Sequence, residues 1–407
     1  MRILVLCDRY PDSYQDGLLL RVLHLARCLR ERHRMDLVCY ADRAEETAVL
    51  PGFSRAWTVA PPQRPRRPRW LAPFMGWRVG EFYPRSAALA ALLDEQIDPS
   101  DYDVIWDAGA AMFPNLTRRW DACPVVADLV DDMVLTTRRA LSTTGSFLPR
   151  LRQLKYLSLY YRFERYIMQR VAQCCVVSAE DAESFRRVSP TVPVSVVQNG
   201  VDLEYFAPAE RPMVSERLVF EGSMAFGPNQ QAAIFLVREV MPIIWARNAA
   251  VTLTLVGRDP SSEIRALAGS RVSVTGSVSD IRPYVHEAEV FVCPLLSGAG
   301  IKNKLLQAWA MGKAVVATPL SVGGLDARDG ENLLIREGAA QLAQGILELL
   351  GNPERRRMLG ARGRETVEAS YDWEGRARAF ERLLKVAAER GHAKTEPKGG
   401  RLHAHRY

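Results

Sequence analysis

The chain has 407 residues, of which 48% are hydrophobic and 25% charged, so it has ordinary globular composition and enough length for two domains with separate cores. Its net charge of +7 suits an anionic partner, but part of the excess lies in RPRRPR (64–69) and part in the tail from Gly391, and neither carries the interleaved aromatic side chains of a nucleic-acid groove. These features exclude nucleic acid as the partner, and no apolar run reaches the roughly eighteen residues of a transmembrane helix.

Seven cysteines are scattered along the chain, mostly within apolar runs. None forms a CxxC pair or lies beside histidines at the spacing of a metal site. We interpret them as reduced core residues of a cytoplasmic protein, and we predict no metal. The apolar segment after Arg2 is also too short for the core of a signal peptide.

The first forty residues predict a βαβ unit, because the apolar run ILVLC precedes an amphipathic helix and a second apolar run, MDLVCY. Further short strands are predicted at 104–108, 124–130 and 174–178, with helices near 86–96 and 148–172. This alternation indicates a parallel sheet, and we assign residues 1–198 to a first, Rossmann-like domain.

An Asn-Gly turn in VPVSVVQNGVDLEYFAP (192–208) precedes a fresh alternation of strands and helices, so the second domain is predicted over 199–370. The predicted fold class is α/β, with two doubly wound, Rossmann-like parallel sheets facing each other across a cleft. Ligands of such sheets bind beyond the carboxyl ends of the strands. The loops predicted to converge there are 221–229, 257–260, 276–281 and 297–302.

The last predicted helix occupies residues 371–390 and begins at the sequence YDW. An amphipathic terminal helix needs a surface to pack on, and we predict that it crosses back to the first domain. A surface helix on the second domain is the alternative. Residues 391–407 have almost nothing to bury and are predicted to be a disordered tail.

The segment SGAGIKNKLLQAWAMGKAVVAT (297–318) is suited to bind phosphate. Gly298 and Gly300 allow the backbone to approach an anion closely, the helix start adds positive potential, and Lys302 and Lys304 add charge. Ordinary turn glycines and solvated lysines are the competing interpretation.

Five motifs in order along the chain resemble retaining glycosyltransferases of the GT-B fold, family 4 type, as found in bacterial surface-polysaccharide synthesis. The motifs are NGVDLEYFAP (199–208), FEGSMAFGPN (220–229), GSVSDIRPYVHEAEVFVCPL (276–295), GAGIKNKLLQAWAMGKAVVAT (298–318) and YDW (371–373). The resemblance implies a nucleotide-diphospho-sugar co-substrate, no cofactor and no essential metal. It also implies transfer to a glycan or lipid-linked acceptor with retention of configuration.

Without a metal, the protein itself must neutralise the leaving diphosphate, and the resemblance gives this role to Lys302 or Lys304. Backbone amides of Ser297, Gly298 and Gly300 would add donors. Gly222, in the first turn of the second domain, belongs to the same predicted donor site.

The chain departs from the family pattern at several donor positions. Gln307 replaces a helix glutamate but can still bond a ribose hydroxyl, and Ser297 or Ala299 replaces the glutamate placed to touch the donor sugar. The turn around Gly222 lacks the usual Arg and Lys, which leaves Arg258 either as a phosphate ligand or as a surface residue.

Three further positions follow from the resemblance. Val278 and Asp280 match the loop that receives the nucleobase, although Asp280 could equally be a helix N-cap, and both roles are compatible. Gly17 matches a glycine near the donor phosphates and reaction centre, with an ordinary helix-start glycine as the alternative.

The acceptor side carries fewer signals. Where many relatives have a histidine, VVADLVDDM offers carboxylates, and we choose Asp131 to orient or deprotonate an acceptor hydroxyl, with a helix N-cap as the alternative. His24 lies on an apolar helix face and is interpreted as a core residue. A missing base is tolerable, since the acceptor proton can pass to the leaving phosphate.

Residues 148–171 mix basic and aromatic side chains at helical spacing, which suits a helix lying on an anionic membrane at the inner face of the cell membrane. Packing of its apolar stripe on the sheet is the alternative. Two other functions compete with transfer: a noncatalytic GT-B partner subunit, suggested by the lost glutamates, and a nucleotide-sugar 2-epimerase. A nicotinamide dehydrogenase is disfavoured, because no GxGxxG follows a strand.

Overall fold

The structure is a computed structural model that describes residues 1–11, 17–41, 50–62, 85–130, 132–143, 147–209 and 213–395. Two parallel sheets dominate it, one of seven strands and one of six. The predicted α/β class, with two doubly wound sheets, is therefore confirmed. The basic loop 64–69 lies outside the described residues.

The first sheet has the strand order β3-β2-β1-β4-β5-β6-β7, and all its pairs are parallel. Its strands are β1 (Arg2–Cys7), β2 (Arg34–Tyr40), β3 (Arg55–Val59), β4 (Val104–Ala108), β5 (Val125–Leu129), β6 (Gln173–Val176) and β7 (Val194–Val196). The helices around it are α1 (Gly17–Leu29), α2 (Ala87–Glu95), α3 (Met133–Thr143), α4 (Phe147–Met168) and α5 (Ala179–Val188). The central strands are buried on both faces, as continuous apolar runs require.

The second sheet has the strand order β10-β9-β8-β11-β12-β13 and is also entirely parallel. Its strands are β8 (Arg217–Glu221), β9 (Thr252–Val256), β10 (Val272–Val274), β11 (Val290–Cys293), β12 (Ala314–Ala317) and β13 (Leu334–Ile335). Its helices are α6 (Gly227–Phe235), α7 (Met241–Trp245), α8 (Ser262–Arg265), α9 (Arg282–Glu287), α10 (Asn303–Ala310), α11 (Gly338–Gly351) and α12 (Pro353–Ser370). A π-helical turn joins α6 to α7.

The last helix, α13 (Trp373–Thr395), packs against α1, β4 and β5 of the first domain. Phe380 and Leu384 join the core cluster that contains Trp106. The helix continues five residues past its predicted end at residue 390, so the tail prediction is wrong for 391–395, and the rest of the tail lies outside the described residues.

The chain passes between the domains twice at neighbouring positions. On the outward pass, the Val201 amide donates to the Tyr371 carbonyl at 2.9 Å, and Val201 forms an isolated bridge with Asp372 of the return pass. A Cβ on Gly200 would lie 2.8 Å from the Trp373 ring, which explains the glycine. The two passes thus form one connection between the sheets.

The cysteines are all free; six are buried and Cys28 is half-buried. Burial raises the pKa of the Cys174 and Cys175 thiols well above the usual value. They are therefore apolar packing groups, as the sequence predicted.

Candidate active site at the cleft

The loop between β11 and α10 turns sharply at two glycines. Gly298 has φ +114° and Gly300 has φ +69°, a left-handed region that side chains rarely adopt. Lys302 is the residue before the helix and Asn303 is its first residue. The loop therefore brings the amino end of α10 to the carboxyl edge of the second sheet.

The side chain of Lys304, a residue of α10, reaches the carboxyl end of β8. Its Nζ donates to the Glu221 carbonyl at 2.5 Å and to Asn229 Oδ1 at 2.9 Å, and it lies 4.7 Å from the centre of the Phe220 ring. A Cβ on Gly222, whose φ is +152°, would overlap this ammonium group. Gly222 thus leaves room for the Lys304 side chain, which fixes a positive charge at the sheet edge.

Glu221 carries the acidic side chain beside this charge. Burial raises the pKa of its carboxyl group, while the Lys304 ammonium acts in the opposite direction. The Lys304 charge therefore meets a carboxyl group whose ionised form is disfavoured.

Lys302 folds back on its own loop. Its Nζ donates to the carbonyls of Ala299 and of Gly300, the latter at 2.8 Å. From the first domain, Arg139 Nη1 donates to the Gly298 carbonyl at 2.6 Å and also pairs with Glu180. Three successive carbonyls of the loop thus accept from cations, one of which belongs to the opposite domain.

Ser297 is 2% exposed, and its hydroxyl donates to Gln231 Oε1 at 2.7 Å. These two residues line a cavity of about 190 Å³ between the domains, and the first domain contributes uncharged side chains from α3 and α4. Its polar lining groups from the first domain are Thr136, Thr137, Gln153, Tyr156 and Tyr160. The cavity offers hydroxyl and amide groups next to the loop.

Two other residues of the predicted donor site, Gln307 and Arg258, lie on neighbouring segments of the second domain. Gln307 is half-exposed one helical turn after Asn303 and Lys304. Arg258 is half-buried, and its carbonyl accepts from the Met224 amide at 2.9 Å, which ties its loop to the loop that follows Gly222.

Asp280 accepts from the Arg282 amide at 2.9 Å, and its carboxylate also pairs with the Arg282 guanidinium. Arg282 in turn lies 3.7 Å from the centre of the Tyr205 ring. Asp280 therefore stabilises the turn into α9 from one residue before the helix cap, because the N-cap residue itself is Ile281 and not Asp280 as the alternative predicted. Val278, two residues earlier, is half-buried in the same loop.

The first domain meets the amino end of α10 at Gly17, the first residue of α1. A Cβ on Gly17 would lie 3.2 Å from Asn303 Nδ2. Asn199, at the domain boundary, donates from Nδ2 to Asn303 Oδ1 at 3.0 Å. The amino ends of two helices, one from each domain, therefore face each other across the cleft.

The acceptor-side carboxylates divide into different roles. Asp131 lies outside the described residues. Asp132 is buried and accepts from the Leu135 amide at 2.7 Å as a helix cap; burial raises the pKa of its carboxyl group. Asp128 is fully buried and pairs with Arg21, so neither carboxylate faces the cleft.

His24 is 8% exposed and stacks on Trp373, with 4.8 Å between ring centres. Burial lowers the pKa of His24 to about 4. It is a core residue, as the sequence predicted.

Sequence reasoning missed Arg139, Asn199, Asn229 and Asn303. Asn199 was visible in the Asn-Gly turn and Asn303 stands between the two lysines, so a signal existed for both. Arg139 contacts a loop 159 residues away, and local pattern cannot reveal such a pairing.

Comparison with known proteins accounts for most of the chain. The family profile described as Glycosyltransferase Family 4 matches residues 16–205, and the profile described as Glycosyl transferases group 1 matches residues 215–352. The phosphatidyl-myo-inositol mannosyltransferase of Mycobacterium tuberculosis is 30% identical over 210 residues, which cover 48% of this chain and 54% of the relative. The match thus spans about half the length of that relative.

Solved structures share the fold over nearly the whole chain. Sucrose-phosphate synthase from Thermosynechococcus elongatus superposes with a TM-score of 0.71 at 19% identity, covering 95% of this chain and 98% of that one. HepE from Anabaena, in complex with UDP and glucose, superposes with a TM-score of 0.67 at 15% identity, covering 95% and 99%. With both family profiles matching in order and two facing parallel sheets, the chain belongs to the glycosyltransferases of the GT-B fold, family 4 type.

Proposed function

We propose that the protein is a retaining hexosyltransferase that moves a sugar from a nucleotide-diphospho-sugar to a glycan or lipid-linked acceptor. The observation that carries the proposal is the meeting of two helix amino ends at the cleft, those of α1 and α10, beside the ammonium groups of Lys302 and Lys304. Helix amino ends attract anions, and fixed positive charge stabilises a departing diphosphate.

In the proposed reaction the bond from the sugar's anomeric carbon to the phosphate oxygen breaks, and a bond to the acceptor hydroxyl oxygen forms. The acceptor proton passes to the leaving phosphate or to a carboxylate, for which Asp131 remains our choice. Lys302 and Lys304, with the amides of Ser297 to Gly300, hold the diphosphate. No metal ion or cofactor is assigned to this step.

The remaining donor contacts are proposed by position. Gln307 would bond the ribose, Val278 and Asp280 would line the base, and Arg258 would reach the phosphates beside Gly222. The cavity next to Ser297 would take the sugar, since hydroxyl and amide groups suit a neutral hydroxyl-rich ligand. The HepE complex with UDP and glucose and the mannosyltransferase named for a lipid substrate support the substrate classes.

The diphosphate site is tested by calorimetry with UDP, GDP and ADP, each with and without EDTA. The expected result is micromolar binding of at least one nucleotide that EDTA leaves unchanged. The variant Lys302→Ala/Lys304→Ala should lose most of it, on the order of 100-fold, because two charged contacts are removed.

The matched control is Lys313→Met. Lys313 is a buried lysine of the same domain whose Nζ donates to His286 and Ala288 carbonyls, and burial lowers its pKa to about 8. This change should affect stability and leave nucleotide affinity unchanged. Equal affinity of the double variant and the parent would contradict the assigned site.

The noncatalytic alternative is favoured by the departures from the family pattern, since the resemblance places glutamates where this chain has Gln307 and where it has Ser297 or Ala299. Incubation with a panel of nucleotide sugars separates the possibilities. A transferase releases nucleotide faster when acceptor is added, an epimerase releases it without acceptor, and a binding subunit releases none. The anomeric configuration of the product, measured by NMR, tests retention.

Membrane contact is proposed through the outer face of α4. Its inner stripe packs on the sheet through Phe163, Ile167 and Met168, as the alternative interpretation required. Its outer face exposes Phe147 (79%), Leu154 (48%), Tyr161 (40%) and Tyr166 (37%). Exposed Arg150, Arg162 and Arg165 lie among them.

Apolar side chains interleaved with arginines suit an anionic bilayer surface. No described helix is long and apolar enough to cross a membrane. The protein should sediment with phosphatidylglycerol vesicles and less with phosphatidylcholine vesicles. Phe147→Ser/Leu154→Ser should reduce this binding several-fold, whereas Met358→Ser, which alters a comparably exposed apolar residue of the second domain, should not. Unchanged sedimentation of the double variant would refute the proposal.

A further inference from the structure

A buried line of hydrogen bonds runs from the first domain to the amino end of α10. Arg21 is fully buried; its Nε contacts both oxygens of Asp128 at 3.1 and 2.9 Å. Its Nη1 donates to the Val197 carbonyl and to Asn199 Oδ1, each at 2.9 Å. Asn199, also fully buried, then donates to Asn303.

Arg21 determines which group donates and which accepts in each hydrogen bond of this line. A guanidinium has donors and no acceptor, and it does not lose its proton in proteins. Burial opposes the charge on Arg21, but Asp128 and Cys175 more than offset it, so the pKa of the guanidinium is raised further. Whatever faces Arg21 Nη1 must therefore accept.

The direction passes through both amides in turn. Asn199 must present Oδ1 to Arg21, so its NH2 group faces Asn303. Asn303 must then accept through Oδ1, which turns its own NH2 group toward Gly17 and the cleft. An arginine that is closed off from water thus decides which end of a half-exposed amide faces the ligand space.

We propose that Asn303 Nδ2 is a ligand-binding group that donates to an oxygen of the donor's diphosphate, and that Arg21 and Asn199 are positioning residues that hold it in this orientation. The proposal rests on the proposed function. Phosphate oxygens only accept hydrogen bonds, so the NH2 end of the amide suits them and the carbonyl end would repel them. Gly17 keeps the space before this group open.

The deciding experiment reverses the amide without altering Asn303. In Asn199→Asp the new carboxylate still accepts from Arg21 but cannot donate, so Asn303 has to turn its NH2 group to residue 199 and its oxygen to the cleft. Calorimetry should show UDP or GDP affinity about tenfold lower, matching the loss in Asn303→Ala, because each removes one bond to a charged group.

A double-variant cycle separates reorientation from charge repulsion. If Asn199→Asp acts through the Asn303 amide, it should change affinity less than twofold in the Asn303→Ala background. The matched control is Asn115→Asp, at an equally buried asparagine of the same domain that accepts from the Ser86 amide, and it should leave affinity unchanged.

Parental affinity in Asn303→Ala, or an equal loss from Asn199→Asp in both backgrounds, would overturn the proposal. Pyrophosphate serves as a probe without base or sugar. If the parent binds pyrophosphate but no nucleotide, the proposed function fails while the same variants still decide the role of Asn303. If the parent binds neither, the proposal about Asn303 is overturned as well.

Discussion

The two helices that face each other across the cleft are built differently at their amino ends. In the second domain, α10 follows two left-handed glycines and carries Lys302 and Lys304 beside the cleft. In the first domain, α1 starts at a bare glycine, and its arginine, Arg21, points into the core to pair with Asp128. The second domain thus supplies charge through half-buried lysine side chains, whereas the first supplies space through Gly17 and orientation through buried polar groups.

This difference separates two kinds of contribution to one site. Removing the charges of Lys302 and Lys304 should lower nucleotide affinity strongly and change the free energy of unfolding little. Replacing a buried positioning residue should instead lower the free energy of unfolding more than it lowers nucleotide affinity. Three further changes in the first domain test whether its residues act in this way.

The largest effect is expected from Arg21→Met. Removal of the guanidinium leaves Asp128 buried without its ionic partner, which costs about 3–5 kcal/mol in comparable buried pairs. Urea unfolding should show this loss in the free energy of unfolding. Replacing both partners, as Arg21→Met/Asp128→Leu, should recover most of it, and a loss below about 1 kcal/mol in the single variant would mean that the pair is not structural.

A smaller effect is expected from acid, through His24. Its pKa falls from about 6.5 in the unfolded chain to about 4 in the folded one, because burial against Trp373 disfavours the charged ring. The unfolded chain therefore binds the proton first, and stability is lost as pH falls from 6.5 to 4. Between pH 7 and 5 this amounts to about 2 kcal/mol.

Unfolding of His24→Phe measured at both pH values checks this assignment. Phenylalanine keeps the stacking on Trp373 and has no proton to bind, so the variant should lose about 2 kcal/mol less than the parent over the same interval. An identical pH dependence in the two proteins would rule out His24 as the responsible group.

The smallest effect is expected from Gly17→Ala. The added methyl group would lie 3.2 Å from Asn303 Nδ2 and narrow the space before the amide. Calorimetry should show nucleotide affinity several-fold lower while the unfolding free energy changes little, since alanine is a good helix former. The control is Gly269→Ala, because a Cβ on Gly269 would meet nothing within 4 Å. Equal nucleotide affinities of the two variants would show that Gly17 is not part of the nucleotide site.

The sequence predicted most of the fold, because buried parallel strands appear as continuous apolar runs. The edge strand β3, RAWTV, was missed since it is half-exposed and lacks such a run. The last helix was predicted too short because polarity after residue 390 resembles a tail, although the helix persists to Thr395. Local composition therefore reports burial well and the ends of exposed helices poorly.

Within the site, the sequence predicted the cationic loop but not its connection to the other domain. Lys302 and Lys304 are visible because charge and glycine stand together in one short segment. Arg21 and Asn199 are 178 positions apart, and Asn199 and Asn303 are 104 apart, so their contacts arise only when the chain folds. Asp128 lies in the segment VVADLVDDM, which the sequence offered as a source of an acceptor-side carboxylate. Its ion pair with Arg21, 107 residues earlier, could not be seen from the local sequence.

Because α13 completes the first core, the two halves of the chain are not two separable proteins. A fragment that ends at Asn199 would leave the apolar surface around Trp106 without Phe380 and Leu384. During synthesis the amino-terminal half leaves the ribosome first. Its core stays incomplete until the whole second half has been made, because the 23-residue helix α13 is synthesised after that half. Apolar surface that is exposed during that interval favours aggregation, so we expect the isolated amino-terminal half to be poorly soluble and a separate α13 peptide to restore its solubility.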